Sequence, residues 1–381
     1  HIDSMHAGVF FAGSRYSTVW LHSEDFSHSQ RYIFDTNILE TVCTLRNGSL
    51  KVIQLDYVLP EKEVLVRSYQ LENTGDRCIE PGIVLFSSLI STNPDLRSTF
   101  FDFDTDSLIF YSHKYYISFS SKSESYQFQL GNNAYEAAGS SELCGNDSIG
   151  MISDAAVSWK LGCINPGEKR TFTLNICASD TLKGVKGLAR STRDSDTALD
   201  YENTKKYWHF FLRNARQINT GRSDIDNLYK RSLLVFKLMA DKRAGGLLAA
   251  PEIDEEFTRC GRYAYCWLRD AAFITGALDR CGLTETVDKF YKWAVKVQDD
   301  DGVWHQRYHI DGNLGPSWGI QIDETGTAIW GMLEHFKATN NIGFLREMWG
   351  SVKKAVDFLT GFMDPETGLP APSFDLWEER F

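Results

Sequence analysis

The stretch Ser223-Asp-Ile-Asp-Asn-Leu-Tyr-Lys-Arg-Ser-Leu-Leu-Val-Phe-Lys-Leu-Met-Ala-Asp-Lys242 decides the fold, because the apolar period changes here. Upstream, apolar residues tend to alternate with polar ones; from Ser223 onward they recur at helical spacing. Ser223-Asp-Ile-Asp226 reads as a capping-box-like start with Asp in place of Glu, and the predicted helix runs to about Lys242. Leu228, Val235, Phe236 and Met239 put apolar side chains nearly all round it, which predicts burial on several sides.

Upstream, to about Ser179, the chain reads as β. Tyr16–His22, Leu50–Val58 and Val64–Leu71 are rich in β-branched and aromatic residues, and Tyr111–Ser121 is predicted as one of the longer strands. Asn47-Gly48, Asn73–Asp76 and Asn165-Pro-Gly167 are turn signals between runs. Many strands with no helical period between them predict a large antiparallel sandwich over 1–179. The composition then turns polar, and 180–222 is predicted as a linker with one helix carrying Trp208, Phe211 and Leu212.

Downstream, four more helices are predicted. Ala271–Leu278 gives the second, and Glu285–Gln298 the third, with Val287, Phe290, Tyr291 and Ala294 in register. The fourth carries Ile329, Met332, Leu333 and Phe336. The fifth carries Leu345, Trp349, Val352, Val356 and Leu359 and stops at Gly361. Loops between bundle helices usually hold roughly two to eight residues, and the stretch 299–321 is far longer. Such an arrangement resembles part of an α/α toroid over 223–381 more than a compact bundle, with function in its long loop.

A chain of 381 residues is expected to hold two units. Its formal charge of −11, without any basic stripe, argues against a nucleic-acid partner. No apolar run is long enough to span a bilayer. The eight cysteines show no C-x-x-C pair and no His spacing suited to zinc. They are expected as buried free thiols, and that expectation points to a reducing, cytoplasmic compartment.

Chemistry-bearing residues cluster in segments that precede or join the helices. Tyr263-Ala-Tyr-Cys-Trp267-Leu-Arg269-Asp270 leads into the second helix; Asp270 alone would be an ordinary helix cap, but Arg269 beside it, framed by aromatics, suits vicinal sugar hydroxyls. Asp301–Gly312 holds Trp304, His305, Arg307 and His309 and reads as a loop packed on its own aromatics; the two histidines lack the helical setting of a metal pair. In Gly315–Thr325, Asp323 and Glu324 read as first-turn acids, whereas Trp318 between glycines is a candidate for a ligand ring. Last comes Asp375-Leu-Trp377-Glu378-Glu379-Arg380, after the Pro- and Gly-rich loop 364–372. Adjacent carboxylates are commonly a charged helix start. Trp377 beside Glu378, however, would desolvate it and suit it to general-acid work near neutrality.

Tyr263–Asp270, Gly315–Thr325 and Asp375–Arg380, in that order and spacing, resemble glycoside hydrolase family 15, the glucoamylase family, in its bacterial and archaeal form. The segment Leu59–Gly75 is similar to the sandwich of those members. The resemblance implies a β-supersandwich, a helical linker and the first part of an (α/α)6 barrel, a six-hairpin toroid. It implies release of glucose from non-reducing ends of α-glucosides with inversion, as in polysaccharide catabolism, and no organic cofactor. Carried over position by position, Glu378 matches the general acid and Glu379 the neighbour that holds the leaving-group sugar. Arg269 and Asp270 match the pair on the glucose hydroxyls, Tyr263 and Trp267 line that pocket, Trp318 stacks, and Gln321 and Asp323 are its neighbours.

Inversion needs a base roughly 6.5–9.5 Å from the acid, which a consecutive Glu-Glu pair cannot supply. In the family the base lies on a later segment. The chain is therefore expected to be incomplete alone, with the remainder of the barrel on a second polypeptide or lost by cleavage. Trehalase, an α-1,6-glucosidase, an inverting disaccharide phosphorylase and a non-catalytic carbohydrate-binding fragment are the alternatives.

Overall fold

The computed structural model describes residues 2–11, 17–89, 97–112, 115–131, 133–145, 154–252 and 263–374. The chain divides into two units, His1–His209 and Phe210–Phe381.

In the first unit every ladder is antiparallel. One sheet has the order β11(Gln127–Leu130), β12(Asp154–Lys160), β7(Pro81–Leu89), β1(Ile2–Phe11), β2(Val19–Trp20). The other runs β3(Phe26–Tyr32), β4(Leu39–Leu45), β5(Leu50–Val58), β6(Val64–Asn73), β13(Lys169–Ser179), β10(Tyr115–Ser121), β9(Ser107–Ser112), β8(Arg97–Asp102). Alternation sets the inner face: Leu50, Val52, Tyr69, Leu71, Phe172 and Leu174 are buried with Leu85, Val157 and Trp159 of the opposite sheet. The Trp159 and Phe172 rings meet at 4.9 Å. Each such side chain contributes about 1.5–3 kcal/mol by leaving water.

Helix α1(Ala134–Ser140) covers the outer face of the five-stranded sheet around Val84 and Phe86. The polar stretch after Ser179 holds α2(Leu182–Arg193) and then α3(Thr197–Asn214). The Thr181 hydroxyl caps α2 by accepting from Gly184 N at 3.1 Å. Val185 packs with Tyr57, Val64, Val66 and Cys177 on the outer face of the eight-stranded sheet. A charged ladder flanks this contact: Lys186 meets Asp102 at 2.9 Å and Asp104 at 3.0 Å, and Arg190 also reaches Asp104.

Three expectations need correcting in this unit. Residues 111–121 are not one strand: Tyr115 pairs with Ser112 and Tyr116 with Tyr111, so β9 and β10 form a hairpin. Within 16–22 only Val19–Trp20 is strand. The cysteines are not all free, because Cys78 is disulfide-bonded to Cys163 across 85 residues, between segments that also bridge as Ile79 to Ile164. Cys43, Cys177 and Cys266 are buried thiols as expected, while Cys144 is exposed. No helix among the described residues is long and apolar enough to cross a membrane.

The second unit contains α4(Ser223–Met239), α5(Leu268–Arg280), α6(Thr284–Val297), α7(Ile322–Thr339) and α8(Ile342–Gly361). Helices α5 and α7 lie side by side and parallel. Arg269 N donates to Glu324 at 2.8 Å at their N-terminal ends, and Asp279 meets His335 at 2.8 Å near their C-terminal ends. Gly331 makes their close approach feasible, since a Cβ there would fall 2.2 Å from the Tyr291 hydroxyl and 3.0 Å from Ala272 Cβ. Val287, Phe290, Tyr291 and Ala294 of α6 are all buried, in the register the sequence predicts.

Two helices present faces other than those expected. In α4 only Leu233 and Leu234 are fully buried, and Leu228 is 66% exposed, so burial on several sides does not hold for the described chain. In α8 the buried stripe is Phe344, Met348, Ser351 and Ala355, while Trp349 is 56% exposed and Val356 also faces solvent. Its N-cap is Asn341, whose side chain accepts from Phe344 N at 3.2 Å. Ser223 is the first residue of α4 rather than its cap, and Asp226 reaches back instead to Thr220 N at 3.1 Å.

His335 lies in the interior, its ring clamped between Asp279 at 2.8 Å and Asp288 at 3.1 Å and flanked by Tyr291 and Phe344. Burial pulls its pKa down, but the hydrogen bonds to Asp279 and Asp288 outweigh that and leave it above the ordinary value of 6.5. A folded pKa above the unfolded one means stabilisation that is complete below pH 6.5 and fades as pH rises through the folded pKa. His335→Gln is therefore expected to destabilise the helical unit by about 2 kcal/mol at pH 6 and by less at pH 9, measured by urea unfolding. A pH-independent loss would contradict the charged clamp.

Candidate active site

The site is assembled where α5 and α7 begin. The segment entering α5 is pinned by a bridge in which Cys266 N donates to Tyr308 O at 2.8 Å, so the loop 299–321 is stitched to it. Within that loop Trp304 is core: its indole Nε1 donates to Ala294 O at 2.8 Å, and its backbone N donates to Thr325 Oγ1 at 3.0 Å. His305 pairs with Asp299 at 2.6 Å, and the His309 ring lies against Tyr265. Among the described residues no group of three His, Cys, Asp or Glu side chains could hold a metal ion.

Arg269 is the hub. Its Nη1 lies 2.6 Å from Asp323 Oδ2, 2.9 Å from Glu324 Oε1 and 3.5 Å from Gln321 Oε1, and its Nε lies 3.8 Å from Asp270 Oδ2. The structure thus brings Arg269, Asp270, Gln321 and Asp323 together. Asp270 is the third residue of α5 rather than its cap, a position the N-terminal end of the helix dipole favours for an acid. Burial pushes its carboxyl above the usual range, against the pull of Arg269.

The aromatic residues form an adjoining wall. Trp267 is buried and Tyr263 half-exposed, with ring centres 6.3 Å apart. Trp318 is 48% exposed, and its backbone N donates to the buried Gln306 side chain at 3.2 Å. The glycines beside Trp318 serve protein contacts rather than an open ligand space. At Gly319, with φ +152°, a Cβ would fall 2.5 Å from the Phe374 ring; at Gly315 it would lie 3.1 Å from Tyr265. Glu378 and Glu379 lie outside the described residues.

Glu324 is the member of this cluster that the sequence offers only as a first-turn acid. Its side chain is 0% exposed, and its two oxygens hold Arg269 twice, through the main-chain N and through the guanidinium. The 2.9 Å approach of Oε1 to Nη1 is a charge contact rather than an aligned hydrogen bond, since Oε1 has no hydrogen-bond partner. Burial pushes the Glu324 carboxyl up to about 8, with Arg269 opposing. The signal was present: Glu324, Thr325, Ala328, Gly331, Met332 and His335 form one helical stripe, so this acid falls on the packed face.

Residues 224–381 match the family model described as glycosyl hydrolases family 15. The match covers the helical segment and leaves the sheets outside it. An uncharacterized glycosyl hydrolase of Methanocaldococcus jannaschii is 27% identical over 385 aligned positions, covering 95% of this chain and 58% of the relative. A bacterial glucoamylase solved with acarbose shares the fold at a TM-score of 0.75 and 15% identity, covering 99% of this chain and 55% of that one. A human-microbiome protein assigned as a kojibiose phosphorylase matches at a TM-score of 0.65 and 8% identity, covering 93% of this chain and 49% of that one. The chain thus spans about half the length of these relatives. Antiparallel sheets followed by helices are the arrangement shared with the glucoamylase.

In the helical unit, the raised Glu324 pKa has a consequence for stability. A carboxyl held protonated more tightly when folded than when unfolded favours the fold fully below about pH 4.5, and this is lost as pH rises towards 8. Glu324→Gln is expected to flatten the fall in urea midpoint between pH 5 and 8. An unchanged slope would show that another group sets it.

Proposed function

We propose that the chain is part of an inverting, exo-acting α-glucosidase that releases glucose from non-reducing ends. The N-terminal ends of α5 and α7 supply its glucose pocket. The observation carrying this reading is Arg269, fixed at a helix start by Asp323 and Glu324, beside Asp270 and next in sequence to the aromatic wall. Nη1 accounts for two of the five N–H groups of a guanidinium, so donors remain for vicinal hydroxyls, with Asp270 as acceptor. Aromatic faces then take the apolar side of the sugar ring. Trp318 is the stacking residue, and Tyr263, Trp267 and Gln321 line the pocket.

In this reading Glu378 donates its proton to the departing glycosidic oxygen and Glu379 holds the leaving-group sugar. Inversion also needs a second carboxylate to activate water on the opposite face of the ring. The match to glycosyl hydrolases family 15 and the glucoamylase-like fold support this. The test is proton NMR of freshly released glucose from maltose, isomaltose and trehalose. Inversion predicts the glucosyl residue whose bond is cut as β-glucose, beside the α-glucose that leaves from trehalose and the equilibrium anomers that leave from maltose and isomaltose; no β-glucose beyond the leaving group's own share would overturn the mechanism. The phosphorylase-like fold favours one second reading, an inverting disaccharide phosphorylase. That reading predicts sugar cleavage that requires phosphate, with a glucose 1-phosphate signal in phosphorus NMR.

A further inference from the structure

The loop 299–321 places a cation inside the aromatic wall. Arg307 is 6% exposed, and its guanidinium carbon lies 4.4 Å from the Trp318 ring centre, 4.8 Å from Tyr265 and 5.8 Å from Trp267. All three distances fall within the ~6 Å over which a ring face attracts a cation. Its Nε donates to Pro316 O, so the guanidinium is tied to the turn that carries Trp318. Gly315 lets that turn close down, since a Cβ there would sit 3.2 Å from Arg307 Cγ.

The geometry points to Arg307 as the positioning residue that holds the Trp318 ring as a platform for a glucosyl ring, an inference that rests on the sugar-binding reading above. Trp318 is half-exposed, and an indole free to turn would have to be ordered each time a ligand bound. A planar cation under the ring fixes it beforehand. Arg307 is itself nearly buried with three rings around its guanidinium, so it acts through Trp318 rather than on the sugar. Lysine offers a point charge instead of a plane and cannot lie flat under an indole.

The test uses the full chain labelled with 5-fluorotryptophan, the Trp318 fluorine signal being assigned through Trp318→Phe. Arg307→Lys and Arg307→Met are each expected to shift or broaden that signal without ligand and to weaken maltose binding about tenfold. Arg307→Lys decides if Arg307→Met fails to fold. An unmoved Trp318 signal in Arg307→Lys overturns the inference even if stability falls, because a merely structural arginine would lower the unfolding temperature without reorienting one indole. If the signal moves in the variants but the unmodified protein does not bind maltose, the platform stands and the sugar reading falls.

Discussion

Replacing Arg269 by Met is expected to destabilise the helical unit by about 3 kcal/mol at pH 9.5, above the Glu324 pKa, and by clearly less at pH 5. The reason lies in Glu324. With Arg269 present, the fully buried carboxyl has a guanidinium 2.9 Å away. Without it, an ionised Glu324 would be left in the interior with only the main-chain N of residue 269 as partner. Removing one member of a buried pair typically costs about 3–5 kcal/mol, because the orphaned charge has lost its compensation. The carboxyl has an escape, however. Its pKa already stands near 8, and loss of the neighbouring cation would raise it further. At pH 5 it holds its proton with or without Arg269, and the loss shrinks to that of the lost side-chain hydrogen bonds, about 1 kcal/mol. Urea unfolding followed by a helical signal at the two pH values measures this. Equal losses would separate Glu324 from Arg269 energetically. The same variant is expected to lose maltose binding, since Asp270 alone cannot grip a diol.

Helical periodicity made the second unit largely legible. Val287, Phe290, Tyr291 and Ala294 recur at the spacing that buries one face of α6, and they are buried. Faces were harder to choose where two are apolar. In α8 the stripe beginning at Phe344 and the one beginning at Leu345 differ by one position, and packing against α6 and α7 distinguishes them. Helix α2 was hidden because its buried stripe is Val185, Ala189 and Thr192, small residues in a polar background. The turn between β9 and β10 carries no Gly, Pro or Asn, so continuous β propensity masked a hairpin. A cysteine pair 85 residues apart has no local signature at all.

The candidate site divides along the same physical line. Arg269, Asp270, Trp267 and Trp318 stood out because charged and aromatic residues are dense at two helix starts. Glu324 did not, because a first-turn acid serving the dipole and a buried acid serving an arginine are the same letter at the same position. Arg307 stood within the aromatic loop, but stacking on Tyr265, Trp267 and Trp318 is a property of the folded loop alone.

Glu378→Gln is expected to lower turnover of maltose by roughly 10²–10⁴-fold in the catalytically competent protein, with KM changed little. The loss follows from the leaving group. An alkoxide departing without a proton is a poor leaving group, and glutamine has no proton to give at neutral pH. Sugar binding should survive, because in the proposed pocket the hydroxyls are the part of Arg269 and Asp270, whereas Glu378 acts on the departing oxygen. The substrate dependence separates this role from a general loss of structure. With 4-nitrophenyl α-glucoside, whose phenolate leaves without protonation, the variant should recover most of the lost rate. Glu379→Gln should behave in the opposite way, raising KM for maltose more than it lowers kcat, since its proposed part is to hold the leaving sugar. If Glu378→Gln loses equally on both substrates, its carboxyl does not donate the proton. If it loses nothing, the acid lies elsewhere, and the resemblance that placed it at position 378 does not extend to mechanism.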